Sequence, residues 1–534
     1  MMYQRLGELV NNICIDAILL VLCTSTLIAE VECRKTSPPL LLLVSFDGFR
    51  YDYPDMYSLE NFHLLNNIGV RAQSISAFAT TTFPNHFTMI TGVYQETHGI
   101  ISNNMYDPVM KSVFKVETMN DTRWWSQNSL LETIWKTNEV ENINERKSGV
   151  IGWPVSLETP INGHRPSKYE VFEKKRQFKE IIDTMISWFL DEKEPINFGS
   201  IYYREPDAVG HRYGPNSKEV NVTVHECDEL LGYLMNKINT SDLLKNDLNV
   251  IIASDHGMEQ VNGINNLTYI DDYVNTSLFH YYGTVTVISI FPHADNDTDV
   301  IYENLTKIPH SVVYKKNDIP DNYHYKNNIR IGPILLVADG GFEILSRPVS
   351  KNISDGSFDG NITSNFDRTK THGNHGYDNS LKTMRSIFYA YGPQFRKNFT
   401  SSIPFYNVDL YSLMCIILDI KNIRQTNGSF NNIKDFLLDQ SKINSKIFGQ
   451  SSIFSFASSL PTIVLVAILL SLIMGVVWSI ITCRYAPRPI HVESVTTTIP
   501  HRYQLLSTND NEHHQKQQQN TDNKTREFLG DNEL

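Results

Sequence analysis

Three threonines, Thr80, Thr81 and Thr82, precede Phe83-Pro84-Asn85-His86 in the stretch FATTTFPNHFTMITG. Proline suits the first position of a helix and Gly92 the residue just past its end, so the pattern predicts a short helix opening near Pro84. Thr82 then lies at or beside a helix mouth whose free N–H groups and positive dipole end attract anions. Its hydroxyl can serve as a helix cap or as a nucleophile aimed at a phosphate. Six other residues bear on that choice: Asp47, Asp207, His211, Asp255, His256 and His375. Asp207 and His211 are four apart and share a face if Pro206 opens a helical turn. Asp255 and His256 directly follow a buried-type apolar run, and His375 sits among glycines in HGNHGYDN, where backbone can approach closely. A His/Asp set with no nearby thiolate favours zinc or a similar divalent ion, and two such ions need about six or seven protein ligands between them. A pair of ions suits phosphoryl transfer, because one activates the nucleophile while the other holds the leaving oxygen. Coordination lowers the pKa of a hydroxyl that is otherwise a poor nucleophile, which makes Thr82 the natural attacking group. Asn103, in HGIISNNMYD, can donate its amide to a phosphate oxygen as charge builds.

Short apolar runs followed by helical patterns must position these groups. Residues 40–46 (LLLLVSF) end in Asp47-Gly48, 196–203 end in Glu205-Pro206-Asp207, and 250–253 end in Asp255-His256-Gly257. That alternation predicts an α/β fold with a central, largely parallel sheet flanked by helices, and ligands bind at the C-terminal strand ends of such sheets. Phe178, Ile181, Ile182, Met185 and Phe189 keep helical spacing. From 259 to 380 the chain is polar and Asn-rich, with strand-like runs such as 285–291, and reads as a glycosylated surface insertion before the sheet resumes near 386–391. Residues 408–420 read as a final packing helix.

The 534 residues are 41% hydrophobic and 20% charged with a formal net charge of -12. This is globular composition, and its acidic balance speaks against a nucleic-acid polymer as the main partner. Residues 18–28 form a short apolar stretch after Arg5, which fits a secretory signal peptide over 1–30. Residues 460–482 are apolar throughout and followed by Arg484 and Arg488, which predicts a single C-terminal transmembrane helix with a cytoplasmic basic flank. The expected order is therefore signal peptide 1–30, catalytic domain 38–430, stalk 431–459, span 460–482 and a disordered cytoplasmic tail 483–534. Ahead of the apolar run at 460, eleven Asn-x-Ser/Thr triplets begin at Asn120, Asn221, Asn239, Asn266, Asn275, Asn296, Asn304, Asn352, Asn361, Asn398 and Asn427, and none falls inside the chemical motifs above. Cys33, Cys227 and Cys415 would lie outside the membrane and allow at most one intrachain disulfide. Cys227 lies on an apolar helical face and reads as core.

FDGFR, TFPNHFTMITGVYQETHGII, EPDAVGHRYGP, ASDHGM and GNHGYDN, in that order, together resemble the ectonucleotide pyrophosphatase/phosphodiesterase family of the alkaline phosphatase superfamily, and specifically its short, C-terminally anchored branch. The resemblance implies an alkaline-phosphatase-like fold, Thr82 as nucleophile, one zinc ion on Asp207, His211 and His375, and a second on Asp47, Asp255 and His256 with Thr82. It also implies that Asn103 binds phosphate and Phe83 stacks on a nucleotide base, with Tyr169 and Phe172 both candidates for a second stacking aromatic. Many members have lysine where this chain has Thr81 and aspartate where it has Ser102, which bears on substrate preference. The expected protein is a plasma-membrane, type I single-pass phosphodiesterase and nucleotide pyrophosphatase acting on extracellular nucleotides, with no protein partner. Two alternatives stand beside it: a phosphodiesterase of choline-containing lipids with the same fold, since aromatics also cage quaternary ammonium groups, and a catalytically silent surface protein used for adhesion.

Overall fold

A computed structural model describes residues 38–439, except 142–144, 348–366, 422 and 425. The expected signal peptide, membrane span and cytoplasmic tail lie outside the described residues, as do Cys33, Asn352 and Asn361. Among the described residues, no helix is long and apolar enough to cross a membrane.

The first strand shows why the sheet sits at the centre. In β1 (Leu40–Phe46) Leu41 and Leu43 enter one hydrophobic cluster, while Leu42, Val44 and Phe46 enter another on the opposite face. A strand buried on both sides carries apolar residues at every position, which explains the unbroken LLLLV. The other strands of the same sheet are β2 (Val70–Ile75), β3 (Ser148–Ile151), β4 (Lys168–Glu170), β5 (Phe198–Tyr203), β6 (Leu248–Ala253), β7 (Ser386–Tyr391), β8 (Phe399–Thr400) and β9 (Phe405–Tyr406). Their order is β8-β2-β7-β6-β1-β5-β3-β4, with β9 also on β2. Only β7 runs against its neighbours, β2 and β6, so the sheet is mixed but largely parallel.

Helices cover both faces. On one face lie α1 (Glu60–Ile68), α3 (Phe178–Phe189) and α5 (Lys218–Asn239), which bury Phe62, Ile182, Met185, Val224 and Leu231. On the other lie α2 (Thr82–Thr91) and α6 (Asp409–Ile417), which bury Phe87, Ile90, Leu410 and Leu413. Each fully buried side chain of this kind contributes about 1.5–3 kcal/mol. Between them in sequence, α4 (Asp207–Tyr213) opens at Pro206. Cys227 and Cys415 are both buried, and neither is in a disulfide among the described residues.

Two expectations change. Residues 259–380 are more than a surface excursion: Phe279–Gly283, Val287–Pro292, Ile334–Ala338 and Ser311–Lys315 form an antiparallel four-stranded sheet, closed over its own core of Ile288, Ile290, Ile301, Leu305 and Leu336. The isolated apolar residues of this stretch become a core only when its strands alternate inward together. Packed chain also continues beyond 430, because Phe430–Ile433 and the turn that follows bury Ile433, Phe436 and Leu437 against the main core.

Arg330 ties this second lobe to the main one. It is buried, donates to Asp107 Oδ2 at 2.8 Å, to Gly99 O at 2.6 Å and to Trp124 O at 3.1 Å, and its guanidinium lies 5.2 Å from the centre of the Trp124 ring. It thereby braces both ends of the segment that carries Asn103. Arg330→Ala leaves Asp107 buried without its cation, and is expected to lower unfolding stability by about 3–5 kcal/mol, measured by denaturant unfolding against wild type.

Candidate active site

Strand order creates the site. β6, β1 and β5 lie side by side and parallel, so the residues that follow them, Asp255, Asp47 and the 205–207 turn, emerge at one edge. Asp207 N–H donates to Asp47 O at 3.1 Å and Gly48 N–H to Asp255 Oδ1 at 3.1 Å, which stitches the three strand ends together. Gly48 has φ +62°, and a Cβ there would stand 2.9 Å from Asp207 Cβ and Oδ1. Glycine is what lets the two acidic turns approach.

Thr82 is the first residue of α2, not a residue ahead of it, and Pro84 occupies the third helical position. That position tolerates proline because first-turn N–H groups have no helical partner. None of the three threonines caps the helix: the preceding position, Thr81, makes no side-chain cap bond. Thr80 Oγ1 instead donates to Tyr377 O at 3.0 Å and accepts from Gly376 N–H at 3.0 Å, so it fastens the glycine-rich His375 turn. Thr82 Oγ1 lies 3.3 Å from His256 Nε2.

Three histidines are oriented by the same device. His375 Nδ1 lies 2.9 Å from Thr80 O, His256 Nδ1 2.9 Å from Gly257 O, and His211 Nδ1 3.0 Å from Gly373 O. A carbonyl can only accept, so in the neutral ring each Nδ1 carries the hydrogen and each Nε2 presents a lone pair. Those Nε2 atoms meet carboxylates: His256 is 3.0 Å from Asp255 Oδ2 and 3.5 Å from Asp47 Oδ1, while His211 and His375 are 3.4 and 3.6 Å from Asp207 Oδ1. The His256 and His375 rings stack at 3.6 Å.

Such an arrangement calls for positive charge. Lone pairs facing each other at these distances repel unless a proton or a cation stands between them. Asp47 Oδ1 is buried and accepts no hydrogen bond, which leaves a coordinating oxygen with no protein donor. Burial, together with the charges of Asp255 and Asp207, pushes Asp47 well above the usual carboxylate range. Burial and the neighbouring His256 and His211 drive His375 well below an ordinary imidazole, keeping it neutral. Two clusters have ligand atoms all within 4.8 Å of one another, Asp47-Asp255-His256 and Asp207-His256-His375. The residues therefore fit a divalent cation, with His256 common to both groups and His211 beside Asp207. Every one of the six side chains foreseen from sequence, and Thr82, comes together here.

Above them opens a cleft of about 630 Å³ lined by Asp47, Thr82, Phe83, Asn103, Phe172 and His375 among others. Asn103 Oδ1 accepts from Phe83 N–H at 3.0 Å, which leaves its NH2 as donor. Of the two aromatic candidates, Phe172 lines the cleft, whereas Tyr169 is not among the lining residues and packs with Arg165, whose guanidinium is 5.9 Å from its ring. Tyr169 lies within the short strand Lys168–Glu170, whereas Val171 and Phe172, in the chain just after it, both line the cleft.

Other site residues escaped the sequence. Tyr202, which reads as an ordinary strand residue, donates to Asp47 Oδ2 at 2.5 Å. His86 Nδ1 lies 3.4 Å from Asp255 Oδ2, and its i, i+4 spacing from Thr82 was the available signal. Glu343, in the second lobe, is fully buried and accepts from His372 at 2.9 Å, Asn374 at 2.5 Å and Arg368 at 2.8 Å. Asn374 in turn accepts from His375 N–H at 2.8 Å, so Glu343 braces the strand Thr371–Asn374 that delivers His375. No local pattern marks it.

Burial alone would raise the Glu343 pKa, but the His372 bond, the Arg368 charge and the Asn374 bond outweigh it and hold it at about 2, against 4.5 unperturbed. A depressed folded-state pKa stabilises above the unfolded value and is lost as pH falls through the folded one. Wild type is expected to lose stability relative to Glu343→Gln between pH 4.5 and about 2, read as the pH dependence of the difference in melting temperature. At neutral pH the same substitution is expected to weaken metal retention by about 10–100-fold, measured by competition with a chelator.

With the geometry in place, three comparisons bear on kinship. A family model described as type I phosphodiesterase / nucleotide pyrophosphatase matches residues 41–378. Ectonucleotide pyrophosphatase/phosphodiesterase family member 5 of Homo sapiens is 38% identical over 401 residues, 74% of this chain and 78% of the relative. The bis(5'-adenosyl)-triphosphatase of Homo sapiens is 36% identical over 431 residues, 80% of this chain and 88% of the relative. Among solved structures, an inactive threonine-to-alanine form of murine ectonucleotide pyrophosphatase/phosphodiesterase 5 in complex with AMP matches with a TM-score of 0.67 and 35% identity, over 75% of this chain and 100% of that one. Sequence, fold and the collected acidic and imidazole groups agree: the chain belongs to the type I phosphodiesterase / nucleotide pyrophosphatase family and is an enzyme of that family.

Proposed function

We propose that this enzyme is a cell-surface phosphodiesterase that hydrolyses extracellular nucleotides to nucleoside monophosphates through a covalent phosphothreonine on Thr82. Two zinc ions would be held by Asp207, His211 and His375 and by Asp47, Asp255 and His256 together with Thr82. The observation that carries the proposal is the Thr82 hydroxyl, 3.3 Å from His256 Nε2 at the mouth of α2 and on the lining of the cleft. A solved relative is inactive with one threonine replaced by alanine and is captured with AMP, which accords with a threonine nucleophile and a nucleotide substrate. The signal-peptide pattern of 1–30 and the apolar run 460–482 support placement of the catalytic part outside the cell.

Zinc supplies, when bound, the positive charge that makes a hydroxyl acidic and screens the phosphate oxygens. The chain's own groups do the rest. Thr82 Oγ1 gives up its proton to solvent and attacks phosphorus, the new O–P bond forming as the bond to the leaving oxygen breaks. Asn103, its oxygen committed to Phe83 N–H, donates from its NH2 to a phosphate oxygen as charge develops. Phe83 and Phe172 hold the base on the apolar part of the cleft. Water then attacks the same phosphorus, Thr82 leaves and regains a proton, and the monophosphate departs. Tyr202 keeps Asp47 oriented through both steps.

Thr82→Ala is expected to lower turnover of a nitrophenyl nucleotide ester by on the order of 10⁴-fold or more while bound metal, counted by elemental analysis, stays at the wild-type level. Equal inactivity of wild type and variant toward every diester supplied with zinc would sink the enzymatic reading. Phe172→Ala should raise KM for nucleotide esters by about tenfold, in line with about 1–3 kcal/mol for a base on an aromatic ring, whereas Tyr169→Ala should not. A clear preference of wild type for nitrophenyl phosphocholine over the nucleotide ester would transfer the assignment to choline phosphodiesters.

A further inference from the structure

We propose that Asn120 carries an N-linked glycan, and that this glycan narrows the mouth of the catalytic cleft so that small nucleotide esters enter and polymeric phosphodiesters do not. The proposal rests on the extracellular placement argued above, since the acceptor triplet Asn120-Asp121-Thr122 meets oligosaccharide transfer only in the secretory pathway.

Nine acceptor asparagines fall among the described residues: Asn120, Asn221, Asn239, Asn266, Asn275, Asn296, Asn304, Asn398 and Asn427. Only Asn120 of these is among the residues lining the cleft. It is exposed, in the turn between Val116–Thr118 and the short helix Thr122–Trp125. Val116 and Met119 from its own segment line the cleft, as do Trp153, Val155 and Leu157 from a second segment. Asn120 bridges the two at the rim: its Nδ2 donates to Glu158, and its Oδ1 accepts from Ser156 Oγ at 3.1 Å.

This bridge tolerates the modification. A lipid-linked oligosaccharide gives up its C1–O bond to the lipid pyrophosphate as C1 bonds to Asn120 Nδ2, which loses one proton. One N–H remains to donate to Glu158, and the carbonyl still accepts from Ser156. The sugar is thus rooted on an exposed side chain of the cleft lining, next to the opening a substrate must pass. A single nucleotide ester fits within 630 Å³ of cleft. A polynucleotide must also pass its flanking chain across the rim, where the glycan stands. The chain's acidic balance, net -12, works in the same direction against a polyanion.

The test uses the full chain from a eukaryotic host. Glycopeptide mass analysis is expected to find Asn120 occupied. Thr122→Ala removes the triplet while keeping Asn120 and its bonds, and is expected to raise kcat/KM on a single-stranded oligonucleotide by about tenfold with the nitrophenyl nucleotide ester unchanged. Thr122→Ser retains the triplet and should match wild type on both substrates, and endoglycosidase trimming of wild type should reproduce Thr122→Ala. A bare Asn120 alongside occupied asparagines elsewhere overturns the proposal and leaves the cell-surface reading standing. Bare asparagines throughout overturn both. An occupied Asn120 with the same substrate ratio before and after trimming overturns the gate.

Discussion

Three carboxylates held at the ends of adjacent strands, facing the ring nitrogens of three histidines, set the terms for the rest of this molecule. Asp47, Asp207 and Asp255 are brought within ligand distance of three imidazoles whose lone pairs already point inward. Isolated charges buried in this way are expensive, and the structure offsets the cost by donating backbone N–H groups, as Gly48 does to Asp255, and one short tyrosine bond to Asp47. What remains is a demand for positive charge directed at one edge of the sheet. A divalent cation would satisfy it, because such a set of carboxylates and imidazoles fits one.

The second lobe answers the problem of holding such a site rigid. Its antiparallel sheet and separate core could have been a decoration, yet two of its charged residues reach across. Glu343 grips the segment that ends in His375, and Arg330 grips the segment that contains Asn103. The segments that carry His375 and Asn103 are thus each braced from the same lobe. Packing of that lobe and geometry of the site are one problem, which is why its polar composition does not mark it as dispensable.

Much of the fold was legible because burial on both faces of a parallel sheet leaves an uninterrupted apolar run, as at residues 40–46 and 248–253, and because a helix with one buried face repeats at 178–189 and 218–239. The acidic residues were legible since each closes such a run. The second lobe's core was not: Ile288, Ile301 and Leu336 are scattered among polar residues and cooperate only after distant strands pair. The choice between Tyr169 and Phe172 was equally closed to sequence, as it depends on where the chain turns toward the cleft after the strand Lys168–Glu170.

By itself, then, the amino-acid sequence determined the local elements and the chemical types at their ends: a helix turn presenting Asp207 beside His211, a threonine at a helix mouth, acids after apolar strands. Those follow from short-range sterics and periodicity. Tertiary structure decided that β6, β1 and β5 are neighbours, that Thr371–Asn374 returns to pair with Glu259–Asn262 and so delivers His375, and that Tyr202, His86 and Glu343 complete the site. Such contacts join residues tens to hundreds of positions apart. Their energy depends on register and packing between surfaces that do not exist until the chain has folded.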